Sequence, residues 1–329
     1  MNFRQLTSVY RPTLTLSLAL VLADPLSAAS QSATTPANVT TLVQANNAFA
    51  FEMYGQFKPG PADNAFFSPY SISTALGMTW AGAQGDTASQ MAQTLHFNEL
   101  ASGQTIPAFE YLQKNLATVE KKSGVQLELA NSLWPQTGDK ILPEYLHLVQ
   151  VGFDSLITPV DYQKQSAAVL QRINTWVSDK TNQRIKNLLS STDVTPATKL
   201  VLVNAIYFKG NWAEKFDVKN TQPETFTRLD GTTESVPLMH KKMKQASYVD
   251  VTDGAVPLQI LSLPYKDGAL EFVALLPKTT TALPDLEKNL TAGELATWLG
   301  NLTHPHEVEV FLQVFKGGNR LSRCQFIKM

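Results

Sequence analysis

Residues 199–216 (KLVLVNAIYFKGNWAEKF) constrain the fold more than any other part of the chain. Leu200 to Phe208 is an almost unbroken apolar run, rich in β-branched and aromatic residues. It is too short to span a membrane and its composition favours a strand over a helix, so it predicts a strand buried on both faces. Asn204 interrupts the run, and a buried amide needs hydrogen-bond partners. Another part of the chain must therefore bring polar groups to the middle of this strand.

Bulk composition excludes several classes of protein. The chain has 329 residues, of which 43% are hydrophobic and 17% charged, as in a globular protein with a sizeable core. Lys and Arg total 27 against 28 Asp and Glu, so no net charge draws the chain to nucleic acid or to an acidic membrane. The single cysteine, Cys324, excludes an intrachain disulfide. No internal repeat or Gly/Ser linker divides the chain, which favours one domain over two.

The N-terminus is typical of a targeting segment. Positive residues precede an apolar run from Leu14 to Ala23, and small residues follow. This order predicts a secretory signal peptide over residues 1–29, because the run is too short to span a bilayer. An apolar helix of the fold is the alternative, but Asp24 and Pro25 end the pattern at once. We therefore expect a secreted protein, extracellular or, in a Gram-negative host, periplasmic, with a polar leader at 30–45.

Hydrophobic periodicity divides the remaining sequence into helices and strands. Apolar residues at intervals of three to four predict helices at 42–57, 70–81, 86–95, 107–123, 141–153 and 168–177, and a helical or mixed segment at 283–302. Alternation and short apolar runs predict further strands at 64–67, 125–130, 157–160, 225–227, 234–239, 248–251, 257–265, 269–277 and 307–315. Asp86 is the predicted N-cap of the third helix.

The predicted helix at 70–81 has no charged residue, so it belongs in the interior of the protein. Ser68-Pro69 precedes it, and the proline stands close to the favoured first helical position. The hydroxyls of Ser68, Ser71 and Ser73 would then be buried and would need hydrogen-bond partners. This helix is therefore a second place, besides Asn204, where the interior must satisfy polar groups.

Signatures of enzymes and cofactor sites are missing from the sequence. It has no Gly-x-Ser-x-Gly elbow, no phosphate-binding glycine loop and no His-Glu-x-x-His helix. We interpret His304-Pro305-His306 as a solvated turn, because no further ligand stands near it at metal-binding spacing. The basic run 240–244 could attract a polyanion, but a solvated strand end is the better interpretation. We expect no metal, no cofactor and no enzyme activity.

A series of stretches, in order along the chain, resembles the serpin family of serine protease inhibitors. These stretches are 64–81 (NAFFSPYSISTALGMTWA), 200–216, 226–239 (FTRLDGTTESVPLM), 263–265 (LPY), 272–277 and 308–312. The resemblance covers residues 46–315, which we take as the serpin domain. It implies an α+β fold with three mixed sheets, A, B and C, and about nine helices.

The resemblance also implies roles for particular residues. Asn204 matches the family's "shutter", where it faces hydroxyls that match Ser68 and Ser71, and Trp212 matches the tryptophan of the "breach" at the top of the main sheet. Family members act as suicide substrates: a protease attacks an exposed reactive loop, and the cleaved loop inserts into the main sheet as a new strand. The implied partner is a serine protease, or as a second class a cysteine protease, with neither nucleic acid nor membrane. The complete family member is expected to be a monomer.

The resemblance ends with the strand at 307–315. The family pattern then requires a helix, a strand, a hinge, the scissile bond and two apolar strands, whereas residues 316–329 have four basic residues and no acidic one. We therefore expect an aberrant basic tail, produced by a frameshift or a truncated gene model, and a chain without the reactive loop that does not inhibit by insertion. The alternative is a non-inhibitory serpin-like binding protein or a non-functional truncated product. An enzyme of a new type ranks third.

Overall fold

Eight α-helices and eight β-strands make up the described part of the protein, which in this computed structural model is residues 35–56, 67–123, 125–227 and 231–313. The helices are α1 (Ala37–Gln56), α2 (Pro69–Trp80), α3 (Gly85–Thr94), α4 (Thr105–Ser123), α5 (Pro143–Phe153), α6 (Tyr162–Lys180), α7 (Leu283–Asn289) and α8 (Ala292–Gly300). The strands are β1 (Gln126–Pro135), β2 (Ser155–Ile157), β3 (Leu200–Lys209), β4 (Gln222–Thr227), β5 (Thr233–Val251), β6 (Leu258–Pro264), β7 (Glu271–Pro277) and β8 (Thr303–Gln313).

Periodicity locates most of these elements, with several differences. The strands predicted separately at 234–239 and 248–251 are one strand, β5. Helix α1 begins at Ala37, inside the predicted polar leader at 30–45, and buries Val39, Leu42 and Ala45.

Helix α3 begins at Gly85 with Gln84 as its N-cap, so the predicted cap, Asp86, is wrong and instead lies in the first turn, where the helix dipole favours a carboxylate. Strand β1 runs five residues past the predicted end at Ala130. The strand predicted at 157–160 lies earlier, at Ser155–Ile157 (β2), and Val160 makes only an isolated bridge to Gln136. Residues 64–66 of another predicted strand lie outside the described part.

The described residues form two compact units. The first comprises 35–49 and 68–210, and the second comprises 50–56, residue 67 and 211–313. The sheet of the first unit has the order β2-β1-β3. Strands β1 and β2 are parallel and α5 connects them, as a parallel pair requires, whereas β1 and β3 are antiparallel over their whole length.

Helix α6 covers one face of this sheet. Alternation along β3 places Val201, Val203 and Ala205 in one core with Ile173 and Val177 of α6. Asn204 lies between these positions and therefore points to the other face. Burial on both faces holds at the centre of β3, but Leu200, Leu202 and residues 206–208 are only half-buried.

Helix α2 lies in the interior, as its lack of charge predicts. Its buried residues are Tyr70, Ser73, Thr74, Gly77 and Met78. Gly77 is needed for packing, because a Cβ at this position would lie 3.1 Å from the ring of Phe153 at the end of α5. The helix therefore has close neighbours, and none of its residues is fully exposed.

The second unit is built on a five-stranded sheet in the order β4-β5-β6-β7, with β8 pairing β5. The predicted hairpin at 225–239 is confirmed, with β4 antiparallel to β5 and Gly231 at φ +81. Strand β5 has 19 residues and is shared: its first part pairs β4 and β8, and its last part pairs β6. The two smaller sheets that the resemblance implies are therefore joined through β5. Residues of α7 and α8 pack on β6 and β7 to form the core of this unit.

The helix contact at Gly152 gives a first test of the packing. A Cβ added to Gly152 in α5 would overlap the side chain of Ile106 in α4. We expect Gly152→Ala to lower the free energy of unfolding by about 1–3 kcal/mol, as overpacking does. The control is Gly293→Ala in α8, where no atom lies within 4 Å of the added Cβ. That change should stabilise by about 0.5–1 kcal/mol because glycine is unfavourable inside a helix. Urea unfolding measures both, and equal effects would contradict the packing.

Candidate functional site: a buried polar latch and an aromatic cluster

Asn204 has hydrogen-bond partners on two neighbouring elements. Its Oδ1 accepts a hydrogen bond from the hydroxyl of Ser71 in α2. Its Nδ2 donates to Oδ1 of Asn131, the residue directly opposite on β1, at 2.6 Å. Asn131 in turn donates through Nδ2 to the backbone carbonyl of Phe153 at 2.6 Å. We call this chain of Ser71, Asn204, Asn131 and the Phe153 carbonyl the polar latch.

The two asparagines of the polar latch are buried and Ser71 is half-buried. Asn204 is 8% exposed and Asn131 is 3% exposed. Removing one member of such a network leaves its neighbours without water or protein partners, and each orphaned group then costs about 1–3 kcal/mol. The latch therefore joins α2, β3, β1 and the end of α5 in one arrangement.

Ser68 was expected to face Asn204, and the hydrogen bond that the structure shows for its hydroxyl is to another group. It is the N-cap of α2, and its hydroxyl accepts a hydrogen bond from the backbone N–H of Ser71 at 3.3 Å. Two hydroxyls were expected to face Asn204, and the one that hydrogen-bonds to it in the structure is that of Ser71. Ser68 stabilises the first turn of α2 as its N-cap, and this turn holds Ser71 in helical geometry.

Asn131 is the functional candidate that the sequence analysis missed. The predicted strand stopped at Ala130, one residue short of it. A signal was present: the alternation of Val125, Leu127 and Leu129 continues through Asn131 to Leu133. An asparagine at a position of that series is, like Asn204, a polar residue placed where the pattern requires an apolar one.

Trp212, in the second unit, is the centre of an aromatic cluster. Its ring stacks on Tyr265 with centroids 4.8 Å apart and an interplanar angle of 9°. Phe272 and Phe216 meet it edge-on at 5.8 and 6.1 Å. The segment that follows β3 is also fixed by its backbone, since Ala213 donates to the carbonyl of Pro264 at 2.9 Å. The family resemblance pointed to Trp212, whereas its stacking partner Tyr265 was not predicted.

Acidic residues pair with most of the basic run at 240–244. Lys241 lies 3.1 Å from the carboxylate of Glu214, and Lys242 lies 2.6 Å from that of Glu307. His240 contacts Glu309 at 2.8 Å. The run lies in the middle of β5, so the strand end predicted for it is wrong. The ion pairs favour charges satisfied along the strand over attraction of a polyanion.

His304 and His306 belong to β8, so the solvated turn predicted for them is wrong. Their side chains lie outside the described part. Among residues that are described, no group of three or more His, Cys, Asp and Glu could hold a metal ion. Within the same ranges, no helix combines the length and apolarity that crossing a bilayer requires. The signal peptide predicted at 1–29 lies before the first described residue.

Comparison with known proteins gives the family. A family model described as serpin (serine protease inhibitor) matches residues 44–322. Human (Homo sapiens) Serpin I2 is 35% identical over 274 residues, covering 83% of this chain and 66% of that protein. Leukocyte elastase inhibitor A of Mus musculus is 36% identical over 262 residues, covering 78% of this chain and 67% of that protein. The structure of ovalbumin from emu (Dromaius novaehollandiae) matches with a TM-score of 0.77 at 28% identity, covering 83% of this chain and 73% of that one.

The chain belongs to the serpin family and has the α+β serpin fold, as the motif resemblance predicted. It spans about two thirds of the length of the two relatives compared by sequence. Two relatives, from Mus musculus and Xenopus tropicalis, are named as leukocyte elastase inhibitors.

Replacing Asn204, at the centre of the polar latch, tests how much the latch contributes to the free energy of unfolding. We expect Asn204→Ala to lower the free energy of unfolding by about 1–3 kcal/mol for each polar group left unpaired. Asn220→Ala, at an exposed asparagine, is the matched control and should change it by less than about 0.5 kcal/mol. Urea unfolding followed by circular dichroism measures both. A loss at Asn204 no larger than that at Asn220 would contradict the latch.

The aromatic cluster predicts a dependence of stability on alkaline pH. Burial raises the pKa of Tyr265 from 10.0 to about 12. The folded state therefore holds this proton more tightly than the unfolded state, so the stability it contributes is complete below pH 10 and is lost as the pH rises towards 12. Tyr265→Phe has no such proton, and its free energy of unfolding should fall less between pH 9 and pH 11 than that of the wild type. Other buried tyrosines titrate in both proteins, so equal slopes would show that Tyr265 is not responsible.

Proposed function

We propose that this chain provides the strand-accepting body of a secreted protein that inhibits serine proteases as a suicide substrate. The observation that carries the proposal is the polar latch at the centre of the sheet β2-β1-β3. Within the described ranges β3 is the terminal strand of that sheet, and such a strand presents backbone groups to which an added strand can pair. A latch of hydrogen bonds that must hold before insertion and readjust during it suits this activity.

The chemistry of the proposed inhibition is that of an interrupted proteolysis. The serine oxygen of the protease attacks the carbonyl carbon of the scissile bond in the reactive loop. The C–N bond breaks, the leaving amine takes up the serine proton, and an ester joins protease to inhibitor. Insertion of the cleaved loop beside β3 then pulls the protease away before water hydrolyses the ester. We assign the scissile bond to no residue of this chain. In this scheme the protease is the enzyme and the inhibitor is its substrate.

The family supports a serine protease as the partner. The name of the mouse relative assigns leukocyte elastase as the target of that protein. An elastase-like enzyme is therefore the first target to test, with trypsin-like and chymotrypsin-like enzymes next and cysteine proteases as the second class. We further propose that residues 46–315 act as one monomeric serpin domain in which Ser68, Ser71 and Asn204 form the shutter and Trp212 belongs to the breach. Export by a signal peptide at residues 1–29 completes the proposal.

A covalent-complex assay tests this function. The chain is extended at its C-terminus with the segment of Serpin I2 that supplies the helix, the strand, the hinge, the scissile bond and the two apolar strands. It is then incubated with elastase, trypsin and chymotrypsin. We expect a band stable in SDS at the summed mass of inhibitor and protease. A protease whose catalytic serine is replaced by alanine is the control and should give no band, because the ester cannot form. The unextended chain serves as reference for bands that do not depend on the loop.

The same assay separates inhibition from a binding role. An extended chain that unfolds cooperatively, and is therefore folded, but is cleaved by every protease without a stable band would overturn the proposal. That result would favour the non-inhibitory binding protein instead.

A further inference from the structure

A second buried polar contact holds α2 on its other side. The hydroxyl of Ser73 donates a hydrogen bond to Oδ1 of Asn46 in α1. Both residues belong to the first unit and both are buried, Ser73 completely. This contact is separate from the polar latch, which uses Ser71.

The contact between Asn46 and Ser73 contributes less to folding stability than an apolar pair at the same place would. The Nδ2 atom of Asn46 is buried and has no hydrogen-bond partner among the described residues. A buried donor left unpaired is unfavourable, and an apolar pair of similar volume would fill the same space without that penalty. Buried polar pairs between helices have one well-attested use: they form only in a single alignment and so fix how the helices meet.

The geometry of α2 shows which alignment is fixed. Ser71 and Ser73 are two residues apart, so they lie roughly 200° apart around the helix axis. Ser71 reaches β3, and Ser73 reaches α1 on nearly the opposite side. A rotation of α2 about its axis therefore breaks both contacts together. The ring of Phe153, whose carbonyl ends the polar latch, packs against Gly77 of the same helix.

We propose that Asn46 is a positioning residue for the polar latch: its bond to Ser73 holds α2 in the rotation at which Ser71 reaches Asn204. The inference deepens the proposed function, because it rests on the latch controlling whether the sheet admits a strand. Asn46 acts through α2, because its hydrogen bond is to Ser73 of that helix.

The test uses the full chain and a variant that removes the contact without leaving polar atoms unpaired. Asn46→Leu combined with Ser73→Ala should leave the urea midpoint unchanged or raise it, since an apolar pair replaces a polar one. Hydrogen exchange followed by mass spectrometry should nevertheless accelerate about tenfold in the peptides covering 69–80 and 200–209, as expected for groups coupled in one network. The peptide covering 258–277 is the internal reference and should exchange at the wild-type rate.

A swapped pair supplies the rescue. Asn46→Ser combined with Ser73→Asn restores a Ser–Asn bond at the same place and should return exchange at 200–209 towards the wild-type rate. Ser73→Ala alone provides a second disruption and should accelerate exchange there as well. Unchanged exchange at 200–209 in both disrupted variants, or acceleration that is equal in all peptides including 258–277, would overturn the inference.

The two proposals fail in distinguishable ways. If the extended chain forms no covalent complex but exchange at 200–209 responds as expected, the proposed inhibition fails and the positioning role of Asn46 stands. If the complex forms and exchange does not respond, inhibition stands and Asn46 is only a packing residue.

Discussion

A buried amide in the middle of a strand must have hydrogen-bond partners, and meeting this need for Asn204 organises the first unit. The strand is apolar on either side of Asn204, so water cannot serve. Ser71 and Asn131 serve instead, and because they lie on different elements they draw α2 and β1 into one arrangement with β3. Asn131 in turn donates a hydrogen bond to the backbone carbonyl of Phe153 at the end of α5. One polar side chain thus fixes the relation of four elements.

The apolar contacts around the polar latch are less selective than the latch itself. Val201, Val203 and Ala205 pack under α6 through alternation alone, and a shift of β3 by two residues would keep the same face buried. The facing pair of Asn131 and Asn204 exists in one register only. Hydrophobic burial supplies most of the free energy of folding, whereas the hydrogen bonds of the latch select one register of the sheet.

The sequence predicted much of the candidate site and missed identifiable parts of it. Asn204 was found because it interrupts an apolar run, and Ser71 because its helix has no charged face. Asn131 was missed because the alternation before it was read as ending at Ala130. Ser68 was assigned to Asn204, yet its hydroxyl caps α2, a role that the Ser-Pro sequence at the helix start also indicates. The stacking of Tyr265 on Trp212 was likewise not predictable, because the two residues are far apart along the chain.

By itself the sequence determined the elements and the places where the interior must contain polar groups, since periodicity, charge and turn chemistry act between near neighbours along the chain. It also determined the family, through motifs in a fixed order. Only the tertiary structure decided which polar groups meet. Ser71 and Asn204 are 133 positions apart, and Asn131 and Asn204 are 73 apart. Whether such distant side chains come within hydrogen-bond distance depends on strand register and helix rotation, which are set by the packing of the whole unit and by no local stretch of sequence.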